Sequence, residues 1–419
     1  MGVQLHRLLP LLFLLSWPFF LRDGGRRVPV RDDLHPIVLL PGHSCSQLLA
    51  RLTDDYEPAA SPSCGVRKGT GWFRLWENDT ALQDPALLPC YAEQLKLVFD
   101  PVARDYRDAK GVDVGVMSTN SCMKGLVAAL EGIGYKDGEN LFGAPYDFRY
   151  APAPPGQPAL QFSYFVSSLR LLIERASERN GNKPVILVTH SHGGINATGF
   201  LNQNAVRWRR RNVKHLVMVS TGAGGGVPML KSVVPTTGGN RTPPTPSDVL
   251  SVSGNTGRTF GSAFMALPTP KVFGHAPLVV TQAKNYSAYD MPELLAEAGF
   301  DDEEVARYRS RVLPVVTNLF RAPIMPTTCI NAVGVATVER IVYSDGDFSK
   351  EPEVVYGDGD GSINLASMVA LDTVIGGDPD QEHYKSVFIP NTTHSGIITD
   401  GFALERVVTE ILEANNASY

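Results

Sequence analysis

The sequence predicts an α/β fold built on a mainly parallel sheet, and three observations carry that prediction. Lys183-Pro184-Val185-Ile186-Leu187-Val188-Thr189 is a β-branched apolar run of the kind found in strands covered on both faces. It breaks at His190-Ser191-His192-Gly193-Gly194, helical spacing resumes to about residue 204, and a second apolar run fills Val213 to Val219. Strand, turn, helix and strand at this pitch make a βαβ unit. Further short apolar runs at 35–40, 329–335, 353–356 and 385–389 supply the remaining strands.

The elements follow in chain order. Residues 8–21 read LLPLLFLLSWPFFL, flanked by His6-Arg7 and a charged stretch at 22–27. That run is short for a membrane span and has the length of a signal h-region, so 1–27 is expected to be a signal peptide or signal anchor. The expected destination is the secretory pathway: extracellular, vacuolar or the ER lumen, with anchoring through the N-terminus as the variant. Six sequons, at Asn78, Asn196, Asn240, Asn285, Asn391 and Asn416, fit that route. The first strand ends at Pro41-Gly42, and residues 51–90 read as loop, with Trp72, Phe73 and Trp76 set among Gly and polar residues. Helices are expected over about 122–134 and 160–180, the latter with Phe165, Leu169, Leu172 and Ile173 on one face. Residues 222–325 read as an insertion over the sheet, and a last helix spans about 402–414.

Composition narrows the function. With 419 residues, 43% hydrophobic and a net charge of -5, the chain can bury a large core and is not disordered. It offers no basic field for a nucleic acid. Five cysteines leave at least one free thiol in an oxidising compartment, and Cys64 and Cys90, which bracket the Trp-containing loop, are expected to pair. No Cys/His spacing suits a metal, and no cofactor is expected.

The chemistry lies at the break after the 183–189 strand. A serine on a sharp strand-to-helix turn exposes its Oγ at the carboxyl edge of a sheet, and the next residue's N–H points at a developing oxyanion. Ser191 is therefore the candidate nucleophile and the N–H of His192 a candidate oxyanion donor. Thr189 replaces the glycine usual two residues before such a serine. The orienting acid and the base are expected later in the chain, in that order. Gly357-Asp358-Gly359-Asp360-Gly361 follows an apolar strand, lacks the terminal Glu of a calcium loop, and offers Asp360 in preference to Asp358. His394 follows the strand ending at Ile389-Pro390 and is the expected base. The second oxyanion donor is expected after the first strand, at the N–H of Ser44 with His43 as the alternative.

With these stations in order the chain resembles the lecithin–cholesterol acyltransferase-like family, its plant members above all. The resemblance rests on Ile37 to Gly42, Trp72-Phe73-Arg74-Leu75-Trp76, Ala144-Pro145-Tyr146-Asp147-Phe148-Arg149-Tyr150, His190 to Gly194, Asp358 to Gly361 and the His394 loop. It implies an α/β-hydrolase core formed by 28–221 and 326–419, a cap at 222–325, and a lid loop at 51–90 closed by Cys64–Cys90. Trp72, Phe73 and Trp76 would then touch lipid. It also implies acyl transfer from a phospholipid, through an acyl-serine, to a sterol or other alcohol, or to water as a phospholipase A, at a membrane or lipid surface. A carboxylesterase of soluble esters and an inactive lipid-binding protein are the alternatives. Departures from the family pattern are His192 after the nucleophile, Thr221-Gly222-Ala223-Gly224-Gly225, a shorter stretch before Cys122, and Cys329 without a partner.

Overall fold

The computed structural model describes residues 33–119, 121–234, 256–318 and 321–418. The expected signal segment, the Asn240 sequon and the middle of the insertion lie outside them. Six parallel strands form the central sheet: β1 (Ile37–Leu40), β2 (Leu141–Gly143), β3 (Val185–His190), β4 (Val213–Val219), β5 (Thr327–Val333) and β6 (Tyr384–Pro390). Their order across the sheet is β6-β5-β4-β3-β1-β2. Five helices matter to the site: α1 (Lys124–Gly132), α2 (Leu160–Arg179), α3 (His192–Gln203), α4 (Leu365–Val374) and α5 (Gly401–Asn416).

Successive side chains of a strand face opposite layers, and here both layers are apolar. Val38, Leu40, Val185 and Leu187 pack with Leu169, Ile173 and Ala176 of α2, while Ile37, Leu39, Ile186 and Val188 pack with Leu126 and Leu130 of α1 and Val407 and Ile411 of α5. Double coverage is why these strands read as unbroken apolar runs.

Two smaller sheets depart from expectation. Glu353–Gly357, expected in the central sheet, instead pairs antiparallel with Thr337–Tyr343, which pairs parallel with Val279–Thr281. None of its residues is buried, which suits an edge strand, and an apolar run alone does not say which sheet it joins. This sheet links part of the 222–325 insertion to residues after it. Leu278, Leu294, Leu295 and Phe300 of the insertion share one apolar cluster with a face of the central sheet.

The second departure is the 51–90 segment, which is only partly loop. Phe73–Trp76 pairs antiparallel with Ser46–Leu52, which also pairs with Val112–Thr119. Short helices run over Asp79–Gln83 and Leu88–Leu95, and the Cys64–Cys90 disulfide is present. Leu48, Leu52, Tyr56, Leu75, Trp76 and Tyr91 form a third core there. Trp76 is accordingly corrected from lipid contact to core: it is 3% exposed and packs against Tyr91 and Phe148. Trp72 is 50% exposed with the Arg51 guanidinium 5.2 Å from its ring, and Phe73 lies under Arg67 at 4.7 Å.

Candidate active site

β3 ends at His190, and Ser191 turns the chain into α3 with φ 56° and ψ −127°. A non-glycine residue at positive φ is strained and persists only where its surroundings hold it. The Ser191 N–H donates to the Val219 carbonyl at 2.9 Å, and the Ser191 carbonyl accepts from the Thr221 hydroxyl at 3.1 Å. Gly193 is required by close approach, since a Cβ there would stand 2.6 Å from the carbonyl oxygens of Leu40 and Pro41. Thr189 fits in place of glycine because its hydroxyl donates to Val217 O at 3.3 Å within the sheet.

The structure brings Ser191, His394 and Asp360 together. His394 Nε2 lies 2.8 Å from Ser191 Oγ, and its Nδ1 lies 2.6 Å from Asp360 Oδ2. An ionised carboxylate only accepts, so the imidazole proton sits on Nδ1 and the Nε2 lone pair faces the serine hydroxyl. Asp360 Oδ1 accepts the N–H groups of Ser362 (2.9 Å) and Ile363 (2.7 Å), and its backbone carbonyl accepts from the His394 N–H at 2.8 Å. Burial opposes charge on Asp360, but the His394 imidazole and those two N–H groups outweigh it and hold the carboxyl below its ordinary value. Asp358 serves elsewhere, accepting the Gly334 N–H at 2.7 Å.

The two segments expected to carry the oxyanion donors meet at the serine. A Cβ on Gly42 would stand 3.1 Å from Ser191 Cβ, which sets the loop carrying Ser44 against the nucleophile. His192 opens α3 immediately after the serine. The Ala144–Tyr150 motif braces this loop. Tyr146 donates its hydroxyl to Pro41 O and its N–H to Ser46 Oγ, both at 3.0 Å. Phe148 packs its ring against His43, and the fully buried Arg149 donates to Asp147 and Asp108 at 2.6 Å each.

Sequence reading missed two contacts. His190 Nε2–H donates to the His394 carbonyl at 2.9 Å, while burial, with His394 beside it, pushes its pKa down to about 3 and keeps it neutral. No sequence signal points to a carbonyl so far along the chain. Cys45 pairs with Cys122, leaving the buried Cys329 free. The apolar strand around Cys329 could have removed it from the pairing choices. Among the described residues no group of three His, Cys, Asp or Glu is arranged to hold a metal.

The family described as Lecithin:cholesterol acyltransferase matches residues 72–241. A relative from Oryza sativa subsp. japonica, Lecithin-cholesterol acyltransferase-like 1, is 42% identical over 98% of this chain and 93% of its own. The chain belongs to the lecithin:cholesterol acyltransferase family. A Homo sapiens relative, Lysosomal phospholipase A and acyltransferase, is 30% identical over 85% of each chain. Among solved structures, a chain of the Tle4-Tli4 complex superposes with a TM-score of 0.53 at 12% identity, covering 94% of this chain and 100% of that one, a likeness of fold alone. Membership in the lecithin:cholesterol acyltransferase family makes the chain an enzyme of the acyltransferase and phospholipase class, on an α/β-hydrolase core.

Proposed function

We propose that Ser191, His394 and Asp360 act as nucleophile, base and orienting acid in moving a fatty acyl group from a phospholipid to an alcohol acceptor, sterols included, or to water. The hydrogen-bonded line from Ser191 Oγ through His394 to Asp360, at 2.8 and 2.6 Å, carries this reading. His394 Nε2 takes the hydroxyl proton as Ser191 Oγ attacks the ester carbonyl. The N–H groups of His192 and Ser44 receive the oxyanion, each contributing about 3 kcal/mol in comparable sites. His394 returns the proton to the departing lysolipid oxygen, leaving an acyl-serine. The acceptor alcohol or water then attacks that ester, losing its proton to His394, and Ser191 is regenerated with its hydroxyl proton.

The names of the relatives support a phospholipid as acyl donor, and the two disulfides fit folding in the secretory pathway. Among the described residues no helix is long and apolar enough to cross a membrane, and Trp72 is the aromatic of the 72–76 segment exposed enough to meet a lipid surface. Product analysis with labelled phosphatidylcholine tests the reading, run with and without a sterol alongside fluorophosphonate labelling. The expected products are lysolipid with a sterol ester, or with free fatty acid, and the label falls on Ser191. Turnover of soluble esters alone would favour a carboxylesterase; absence of both products and label would leave only an inert lipid binder.

The choice of acid has its own test. Asp360→Asn places an amide donor against His394 Nδ1 and favours the wrong tautomer, so kcat should fall about 10⁴-fold. Asp358→Asn should leave kcat within about twofold, because the Asp358 side chain contacts no member of the Ser191–His394–Asp360 line. The reverse pattern in steady-state rates would move the acid role to Asp358.

A further inference from the structure

His394 is carried by a loop, yet its backbone is gripped on both sides. The His394 N–H donates to the Asp360 carbonyl at 2.8 Å, and the His394 carbonyl accepts from His190 Nε2 at 2.9 Å. A carbonyl only accepts, so the His190 proton sits on Nε2 and Nδ1 keeps its lone pair. That Nδ1 is buried and has no hydrogen-bond partner among the described residues. A Cβ on Gly42 would stand 3.3 Å from it, so the loop after β1 packs directly against this ring. The His190 and His394 rings lie 4.8 Å apart, tilted by 38°.

We propose that His190 is a positioning residue for the base, its Nε2–H fixing the His394 carbonyl so that the imidazole stays aligned between Ser191 Oγ and Asp360. The inference rests on the function proposed above. His190 ends the fully buried β3 and directly precedes Ser191, so the strand that presents the nucleophile also holds the base. Asp360 grips the other side of the same residue through its carbonyl, and its carboxylate takes the ring at Nδ1. Only Nε2 of His394 is then left free for proton transfer to and from Ser191. The donor must also stay uncharged, because His394 becomes a cation when it takes the serine proton. Burial, with His394 beside it, pushes the His190 pKa down to about 3, so no second cation stands against that imidazolium.

Alignment of a base acts on the chemical step and contributes little to ground-state binding. His190→Leu removes the donor and keeps an apolar side chain of moderate size. The expected result is a kcat on phosphatidylcholine lowered about tenfold with KM unchanged, short of the ~10²-fold loss that follows a misplacement of about 1 Å. The rate of fluorophosphonate labelling at Ser191 should fall in the same proportion, since that reaction uses the same base. His190→Gln supplies an amide N–H at similar reach and should recover kcat to within about threefold of wild type. Val407→Ala, a truncation in the core behind the same sheet, serves as control: it should lower Tm and leave kcat per folded enzyme unchanged. If His190→Leu does not fold, 4-thiazolylalanine at position 190 keeps the ring and the Nδ1 lone pair, replaces Nε2–H by sulfur, and should show the same kcat loss. Wild-type kcat in the Leu or thiazolyl variant, no recovery in His190→Gln, or an equal kcat loss in Val407→Ala overturns the assignment. A wild-type protein that is not labelled at Ser191 would instead overturn the proposed function, and the inference with it.

Discussion

Replacing Ser191 with Ala should lower kcat/KM for acyl release from phosphatidylcholine by about 10⁵- to 10⁶-fold, as loss of the nucleophile does in other serine triads. The size follows from the chemistry. Without Oγ no acyl-enzyme can form, and His394 has no proton to move toward the ester. What remains is the preorganised oxyanion loop and whatever water reaches the bound carbonyl. The fold should survive, because the backbone at position 191 is held by Val219 O and the Thr221 hydroxyl, neither of which depends on the side chain. Phospholipid binding should therefore persist while turnover disappears, a split readable from vesicle binding and product release on one preparation. His394→Ala should cost nearly as much alone, and the double variant little more than either single one, since the residues act as a unit. Full activity in Ser191→Ala would end the acyl-serine proposal.

The line from Ser191 to Asp360 was legible because each residue follows a strand and the chain order is restrictive. The Gly-rich turns at 193 and 359 mark where a backbone must pass closely. Trp76 was not legible. An aromatic among Gly and polar residues looks like surface, and what buries it is antiparallel pairing of Ser46–Leu52 with Phe73–Trp76 on one side and Val112–Thr119 on the other. Such half-buried strands alternate weakly, and their partners are far apart in sequence, so local pattern carries little of the information. Glu353–Gly357 shows the same limit from another side, because an apolar run announces a strand without naming its sheet. Thr189 and Thr221, which depart from the family pattern, turned out to be hydrogen-bond donors that brace the nucleophile turn. A hydroxyl can stand where glycine stands elsewhere, and only the partner's position reveals it.

Acidification from pH 6.5 toward pH 4 should destabilise the fold steeply, and buried histidines are the cause. His190, His192 and His215 are 5%, 5% and 1% exposed. Burial lowers His190 and His192 to about 3 and about 4; burial, reinforced by His383 and two lysines, takes His215 to about 3. In the unfolded chain each would titrate near its ordinary value of about 6.5. Because the folded values are depressed, this stability is fully present above pH 6.5 and is lost as pH falls toward the folded values. In that window unfolding takes up one proton per histidine, so each contributes a slope of about 1.4 kcal/mol per pH unit and the three on the order of 4. The carboxyl of Asp360, held below its ordinary value of 3.8, adds to the loss only at the lower end of that window. Denaturant unfolding at pH 7, 6 and 5 measures the slope. His192→Leu should reduce it by about 1.4 kcal/mol per pH unit, because one proton is no longer taken up. A slope near zero, or one that His192→Leu leaves unchanged, would mean these imidazoles are protonated in the native state.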